Sequence, residues 1–386
     1  MAQTYAPTDW MTYDRMAILG EFAAARAALL MLSEIPYQKS WADRFYADQN
    51  RSEIRGTLRL AEVDLSEKEL EASLGEDAGG AETIPHLQVA ATVEAYEWVA
   101  RVPADWKISE AVVRELHKRL SGPGAGGAGK TTWLGADPSP LESLCEAGGT
   151  VFWEHDPLIQ AFAWHYHLFA MRAFPDANGR VARAMETLMV RRSGLRDSLL
   201  LAMSAYYSEQ RSTYFSSLKE SVQTGHNLTP FLKFALRGVE VQARRLYADY
   251  RLEVARALYL NMASDLFERF GSGRKDEMFR RHYALLKLLI EENGMALPEI
   301  GRRMAVLYGL KNPQKALLRD LGCLVDTGAL SARQTGEDLV WHFSPNPDWP
   351  SQMTPADFGK KLKEIAKEGV KAQFPSQLSA ASATKS

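Results

Sequence analysis

Phe174-Pro-Asp-Ala-Asn-Gly-Arg-Val-Ala-Arg183 is the stretch whose reading decides the fold. It follows a run from Asp156 to Met171, DPLIQAFAWHYHLFAM, with Leu158, Phe162, His165 and Phe169 at helical spacing. That run has no glycine and no proline beyond its first turn, and it predicts a buried helix. Arg172-Ala-Phe-Pro-Asp-Ala-Asn-Gly179 carries turn residues and breaks it. A second helix begins at once from Arg180, with Val181, Ala184, Met185 and Leu188 inward.

A helix, a tight loop and a helix N-terminus flanked by arginines make a polyphosphate site on physical grounds. The free N–H groups of the first turn point out of the second helix, and its dipole favours an anion there. Gly179 lets the backbone approach a ligand, and Asn178 can donate an amide hydrogen bond. Arg180 and Arg183, three residues apart, reach the same side of the first turn and can grip phosphate oxygens. Asp176 is the carboxylate of the stretch, and beside phosphates it suits Mg²⁺. An N-capped helix with two solvated arginines is the plainer alternative.

The stretch resembles the Fic family signature, H-P-F-x-(D/E)-G-N-G-R-x-x-R, with Phe174, Asp176, Asn178, Gly179, Arg180 and Arg183 on the motif. His165 and Phe169 match the family's H-x-x-F in the preceding helix. Leu116-His117, Trp133-Leu-Gly135, Ala205-Tyr-Tyr207 and the segment from Leu228 extend the similarity over most of residues 10–245. The resemblance implies a helical fold that binds ATP with Mg²⁺ and usually transfers AMP to a protein hydroxyl.

Two departures qualify that implication. The family's catalytic histidine falls at Arg172 and its following proline at Ala173. A guanidinium stays protonated and offers no acceptor, so it cannot take the proton of an attacking hydroxyl. General-base assistance is worth ~10²–10⁴ in rate, and ordinary AMP transfer should be crippled accordingly. The second departure lies at Asn50-Arg-Ser-Glu-Ile-Arg-Gly-Thr57, which resembles the family's inhibitory segment, (S/T)-x-x-x-E-G. The inhibitory glutamate of relatives, which pairs with the second motif arginine (here Arg183), is replaced by Arg55. Arg55 is expected to add positive charge to the pocket. Glu53 is discounted as a substitute because on a helix it points about 200° away from position 55.

The remaining sequence sets the frame. A chain of 386 residues, 46% hydrophobic and 24% charged, suits a globular protein of two or three domains. A net charge of −2 gives no global pull toward nucleic acid or anionic membrane. Cys145 and Cys323 are too few for a disulfide scaffold, and the histidines lack metal-ligand company. The apolar run near Ala23–Leu32 is read as too short to span a bilayer, and a cytoplasmic location is expected. Gly124-Ala-Gly-Gly-Ala-Gly-Lys-Thr131 fits a P-loop by letter, but a helix precedes it and a Gly/Pro-rich stretch follows. It is better read as the lead into the flap of Fic proteins. Ser66 with Glu69 forms a capping box, Gly56 breaks the helix from Trp41, and His117 is read as a packed or hydrogen-bonded core residue.

The expected fold is mainly α: a Fic-type helical core with a small β-hairpin flap and a C-terminal winged helix-turn-helix. Residues 1–105 are read as a helical segment packed on the core, 106–245 as the core, 246–275 as a connecting helix, 276–345 as the winged helix and 346–386 as a tail. In the winged module Lys315, Arg319, Arg302, Arg303 and Arg333 could reach DNA through residues 297–335, while Asp320, Asp326, Glu337 and Asp338 dilute the charge. DNA binding and protein docking weigh equally there. A protein segment is expected at the flap, Lys130–Gly135; no membrane is expected, and a homodimer is left open. Two functions are carried forward. One is a regulator that binds ATP, or another nucleoside polyphosphate, with Mg²⁺, does not transfer AMP, and lets the nucleotide set the pose of the winged module. The other is an active nucleotidyltransferase in which Arg172 orients a nucleophile that is already ionised.

Overall fold

The computed structural model describes residues 5, 7, 9–36, 38–63, 65–74, 83–103, 106, 108–121, 140–193, 195, 199–270, 274–308, 313–335 and 339–374. The chain divides into two compact units, 1–250 and 251–386, each with its own hydrophobic core. The glycine-rich stretch at 124–131 and the flap expected at 130–135 lie outside the described residues.

In the first unit the helices are α1 (Arg15–Ser33), α2 (Lys39–Leu60), α3 (Glu67–Ser73), α4 (Ile84–Arg101), α5 (Glu110–Ser121), α6 (Pro140–Gly149), α7 (Pro157–Met171), α8 (Asn178–Val190), α9 (Met203–Glu209), α10 (Arg211–Gln223) and the first part of α11 (Thr229–Phe270). Asp14 caps α1 by accepting from the N–H groups of Met16 and Ala17, at 2.9 and 3.1 Å. Ser66 and Glu69 close the capping box on α3. Helix α7 is buried all round, every residue from Leu158 to Leu168 included. It packs against α8, itself buried from Arg180 to Val190, so this helical hairpin is the centre of the unit.

Gly56 does not end α2, contrary to expectation; the helix runs on to Leu60. The reason is tertiary. A Cβ at position 56 would lie 2.3 Å from the carbonyl carbon of Ser204 and 2.4 Å from the amide nitrogen of Ala205. Helix α9 rests directly on the backbone there, and the contact outweighs the ~1 kcal/mol that glycine costs a helix interior.

By length and composition α1 could cross a bilayer, which the shorter apolar run considered in the sequence did not suggest. It instead lends Ile18, Ala25, Ala28, Leu29 and Leu32 to the core of the unit.

The second unit holds the rest of α11, then α12 (Arg274–Glu291), β1 (Met295–Ala296), α13 (Leu297–Met304), α14 (Pro313–Asp326), β2 (Leu330–Thr335), β3 (Val340–Pro345), α15 (Trp349–Gln352) and α16 (Pro355–Glu368). The antiparallel sheet has order β1-β3-β2, with Met295 opposite Phe343 and Ala332 opposite Phe343 on its other side. Helix, strand, two helices and a hairpin that takes the first strand on its edge is the winged-helix arrangement. Asp320 does not dilute the surface charge. It is buried, accepting from Arg281 Nε at 2.7 Å and the Tyr308 hydroxyl at 2.8 Å. Arg302 and Arg303 are paired with Glu299, and Arg303 also with Glu292.

Replacing Gly56 by alanine should force α2 and α9 apart and cost about 1–3 kcal/mol, as overpacking does. Thermal melting of the full chain checks this. An unchanged first transition would show that the helices yield without cost.

Candidate polyanion site

Helix α7 ends at Arg172, which adopts a left-handed conformation (φ 50°) and is exposed, while Ala173 and Phe174 turn inward. Asn178 then closes the loop on itself. Its Oδ1 accepts from the Phe174 N–H at 2.9 Å, and its Nδ2 donates to the Phe174 carbonyl at 2.6 Å. The amide expected to face a ligand is therefore spent on holding the turn that leads into α8.

Phe174 stacks on His117 of α5, with ring centroids 4.0 Å apart and planes 7° apart. His117 Nε2 lies 2.9 Å from Asp176 Oδ1, and the Ser121 hydroxyl donates to the same oxygen at 3.2 Å. The Asp176 carboxyl stays about one-third exposed, at 34%. His117 is thus a core residue, as its helix pattern indicates, and it also fixes the motif carboxylate. Its Nδ1 is buried without a partner among the described residues. This favours the tautomer with the proton on Nε2, donating to Asp176.

Ala177, the N-cap of α8, also has positive φ, at 55°. The motif carries glycine at this place, a departure overlooked in the sequence. An alanine Cβ is strained in this conformation by roughly 1–2 kcal/mol.

At the helix start the two arginines separate. Arg180 is 7% exposed, and its Nη1 is buried with no hydrogen-bond partner among the described residues. Burial pulls it below its ordinary pKa, Asp176 opposes that, and Arg183 adds to it. A buried guanidinium nitrogen without an acceptor is uncommon. Arg183, 3% exposed, is instead engaged: its Nε donates to Thr57 Oγ1 at 2.7 Å and an Nη to the Thr57 carbonyl at 3.1 Å. A Cβ at Gly179 would come within 3.1 Å of Arg183 Nη1, so glycine there lets the guanidinium lie against the turn.

Beneath the arginines lies a buried polar layer that the sequence reading missed. Glu186 accepts from the Tyr207 hydroxyl at 2.9 Å and meets His165 Nδ1, whose Nε2 lies 2.9 Å from the Tyr214 hydroxyl. Glu53 is fully buried and accepts from the Ser204 N–H at 2.7 Å, the Tyr96 hydroxyl at 3.0 Å and the Thr187 hydroxyl at 3.3 Å. Burial raises Glu53 to about 7 and Glu186 to about 8, while burial holds His165 well below its ordinary value. The Glu186–His165 pair therefore carries its proton on the carboxyl and is neutral.

Arg55 does not charge the pocket, contrary to expectation. It turns outward on α2 and pairs with Glu71. Glu53, on the other side of α2, faces α8 at Thr187, one turn past Arg183, and it is Thr57 that meets Arg183. Helical phase explains the division, because residues 53 and 57 share a face and residue 55 does not. No cluster of three metal-ligating side chains occurs among the described residues.

The sequence matches no protein-family model. Among solved structures, a Fic family protein from Desulfovibrio desulfuricans G20 superposes with a TM-score of 0.54 over 78% of this chain and 96% of that one, at 16% identity. Fic-1 from C. elegans (residues 134–508) gives 0.48 at 21% identity, covering 61% of this chain and 72% of that one. A Fic domain containing signaling protein from Bacteroides thetaiotaomicron VPI-5482 gives 0.40 at 18% identity, covering 61% and 95%. The first of these carries the comparison. The chain has the Fic fold, with its motif loop and helix at the centre of the first unit.

Two outcomes follow from this geometry. Ala177→Gly should stabilise the first unit by about 1 kcal/mol by relieving the left-handed alanine, read as a higher melting temperature. Both buried carboxyls have folded-state pKa values above the ordinary 4.5, so folding takes up protons between there and about 7 to 8. Their contribution is complete below about pH 4.5 and is lost as pH rises through about 7 and about 8. The melting temperature should therefore fall as pH rises from about 4.5 to about 8 and level off above that. Glu186→Gln, which mimics the protonated acid, should flatten the fall.

Proposed function

We propose that the chain is a nucleotide-responsive regulator: a Fic-fold protein that binds ATP, or another nucleoside polyphosphate, with Mg²⁺ and does not transfer AMP to hydroxyls. The observation that carries this reading is Arg180 Nη1, buried at the N-terminus of α8 with no partner among the described residues. An orphaned cationic donor beside the free N–H groups of a helix start suits a phosphate group. Asp176, still partly exposed beyond its bonds to His117 and Ser121, would hold the Mg²⁺, which would neutralise phosphate charge when bound.

Arg172 supports the absence of ordinary transfer. At the place of the motif's base stands an exposed guanidinium with no lone pair to accept a proton. Gly179 and the first-turn amides would orient the phosphates, Arg180 would bind them, and Arg183, held by Thr57, would brace the turn from below. The nucleotide signal would be read out in the winged unit; α11 belongs to both units.

A second reading draws on the exposure of Arg172. A phosphate or carboxylate nucleophile is already ionised, needs no base, and could be oriented by that cation.

Titration calorimetry with ATP and Mg²⁺ tests the first reading. Wild type should bind, Arg180→Ala should weaken binding more than about tenfold, and no label should pass from α-labelled ATP to lysate proteins. Undiminished affinity in Arg180→Ala would overturn the site. Label transfer lost in Asp176→Ala would establish the second reading instead. Arg172→His should restore some self-labelling, measured on the purified chain.

A further inference from the structure

Lys315, Arg319, Gly322 and Asp326 of α14 are spaced four, three and four apart and share one face of the helix. After α16, Gly369 takes a positive φ of 83°, and the chain beyond it reaches α14 and β3. Burial alternates along this segment. Val370, Ala372 and Phe374 are half-buried, while Lys371 and Gln373 are exposed. That is the period of extended chain laid with one side down.

Three contacts hold it. Asp326 accepts from the N–H groups of Lys371 and Ala372, at 2.6 and 3.1 Å. Phe374 meets Trp341 and Phe343 edge-on, with ring centroids 5.0 and 4.8 Å away. Those two rings stand two residues apart on β3 and so face the same side. Gly322 admits the segment: a Cβ there would lie 2.5 Å from the Ala372 carbonyl oxygen and 2.5 Å from Val370 Cγ1. Glycine is unfavourable inside a helix, and here the close approach of another backbone requires it.

Two features separate this contact from ordinary core packing. None of residues 370–374 belongs to the buried core of the second unit, and Phe374 only packs against it half-buried. The groove also holds a donor that the segment leaves unused, because Trp341 Nε1 is buried with no partner among the described residues. Buried donors are nearly always paired, so a ligand that brought an acceptor to this nitrogen would fit better than the tail does.

We infer that the groove between α14 and β3 is a peptide-binding site, filled by the chain's own residues 370–374 until a partner segment displaces them. The partner is an extended peptide, apolar at three alternate positions with the last aromatic, and with two successive N–H groups free for Asp326. Main-chain bonds would hold it and alternate side chains would select it. Duplex DNA suits the covered half of this face less, since a carboxylate and two aromatic rings offer phosphates no cation. The groove lies wholly in the second unit and is independent of the polyanion site.

The test follows the anisotropy of a fluorescein-labelled peptide of residues 368–376, added to the full chain and to the chain lacking residues 370–386. The shortened chain should bind the peptide. The full chain should bind it more than about tenfold more weakly, because its tethered tail competes at high effective concentration. In the shortened chain Gly322→Ala should abolish binding although alanine favours the helix, and Lys315→Ala, exposed on the same face, should not. In the full chain Phe374→Ala should bind the peptide more tightly than wild type, a readout that does not require the shortened chain to fold. A shortened chain that melts cooperatively yet ignores the peptide overturns the inference, as does equal affinity in full and shortened chains. Duplex DNA bound by the shortened chain in place of the peptide would assign the face to nucleic acid instead. A wild-type dimer lost on removal of residues 370–386 would assign the groove to tails exchanged between copies.

Discussion

Arg183 of α8 and Thr57 of α2 meet in a buried polar contact. Arg183 comes from the motif helix, and Thr57 from a segment more than a hundred residues earlier. The guanidinium takes both the hydroxyl and the carbonyl of that threonine. A buried guanidinium is costly unless its donors are satisfied, and these bonds are charge-assisted. One turn along, Glu53 meets Thr187, while Arg180 Nη1 at the helix start has no partner among the described residues.

Around this contact the unit gathers ionisable groups and keeps them neutral. Two carboxyls and a histidine sit fully buried beside one fixed cation. Desolvation pushes the carboxyls up and the histidine down, so protons settle on the acids and little net charge remains inside. The hydroxyls of Tyr96, Tyr207 and Tyr214 supply the hydrogen bonds that make the arrangement tolerable. The aromatic stretch around Tyr206 and Tyr207 packs the helices, and it also solvates this layer.

Much of the fold could be read from spacing alone. The apolar period of α7, the turn residues after it and the capping box on α3 are local signals, and the helices formed where they indicated. The winged arrangement followed from helix lengths and an alternating hairpin, though the two-residue β1 was too short to leave a period. Gly56 misled because a helix breaker is a local preference, and here a neighbouring backbone required the absence of a side chain. In the site, residue types were legible and their partners were not. Nothing near Asn178 or Asp176 in sequence announces that one closes its own loop and the other accepts from α5.

The sequence by itself determined the chemical inventory: a loop and helix start flanked by arginines, a guanidinium at the place of the motif histidine, and the order of helices that brings them together. Those are properties of residue type and near-neighbour spacing, which the backbone period carries directly. Tertiary structure alone decided how the charges are distributed among partners. It turned Arg55 outward to Glu71, sank Asp320 beneath Arg281, and gave Arg183 to Thr57. The reason is that a charge is settled by whichever group comes within a few ångströms, and that is fixed by packing between segments far apart in the chain.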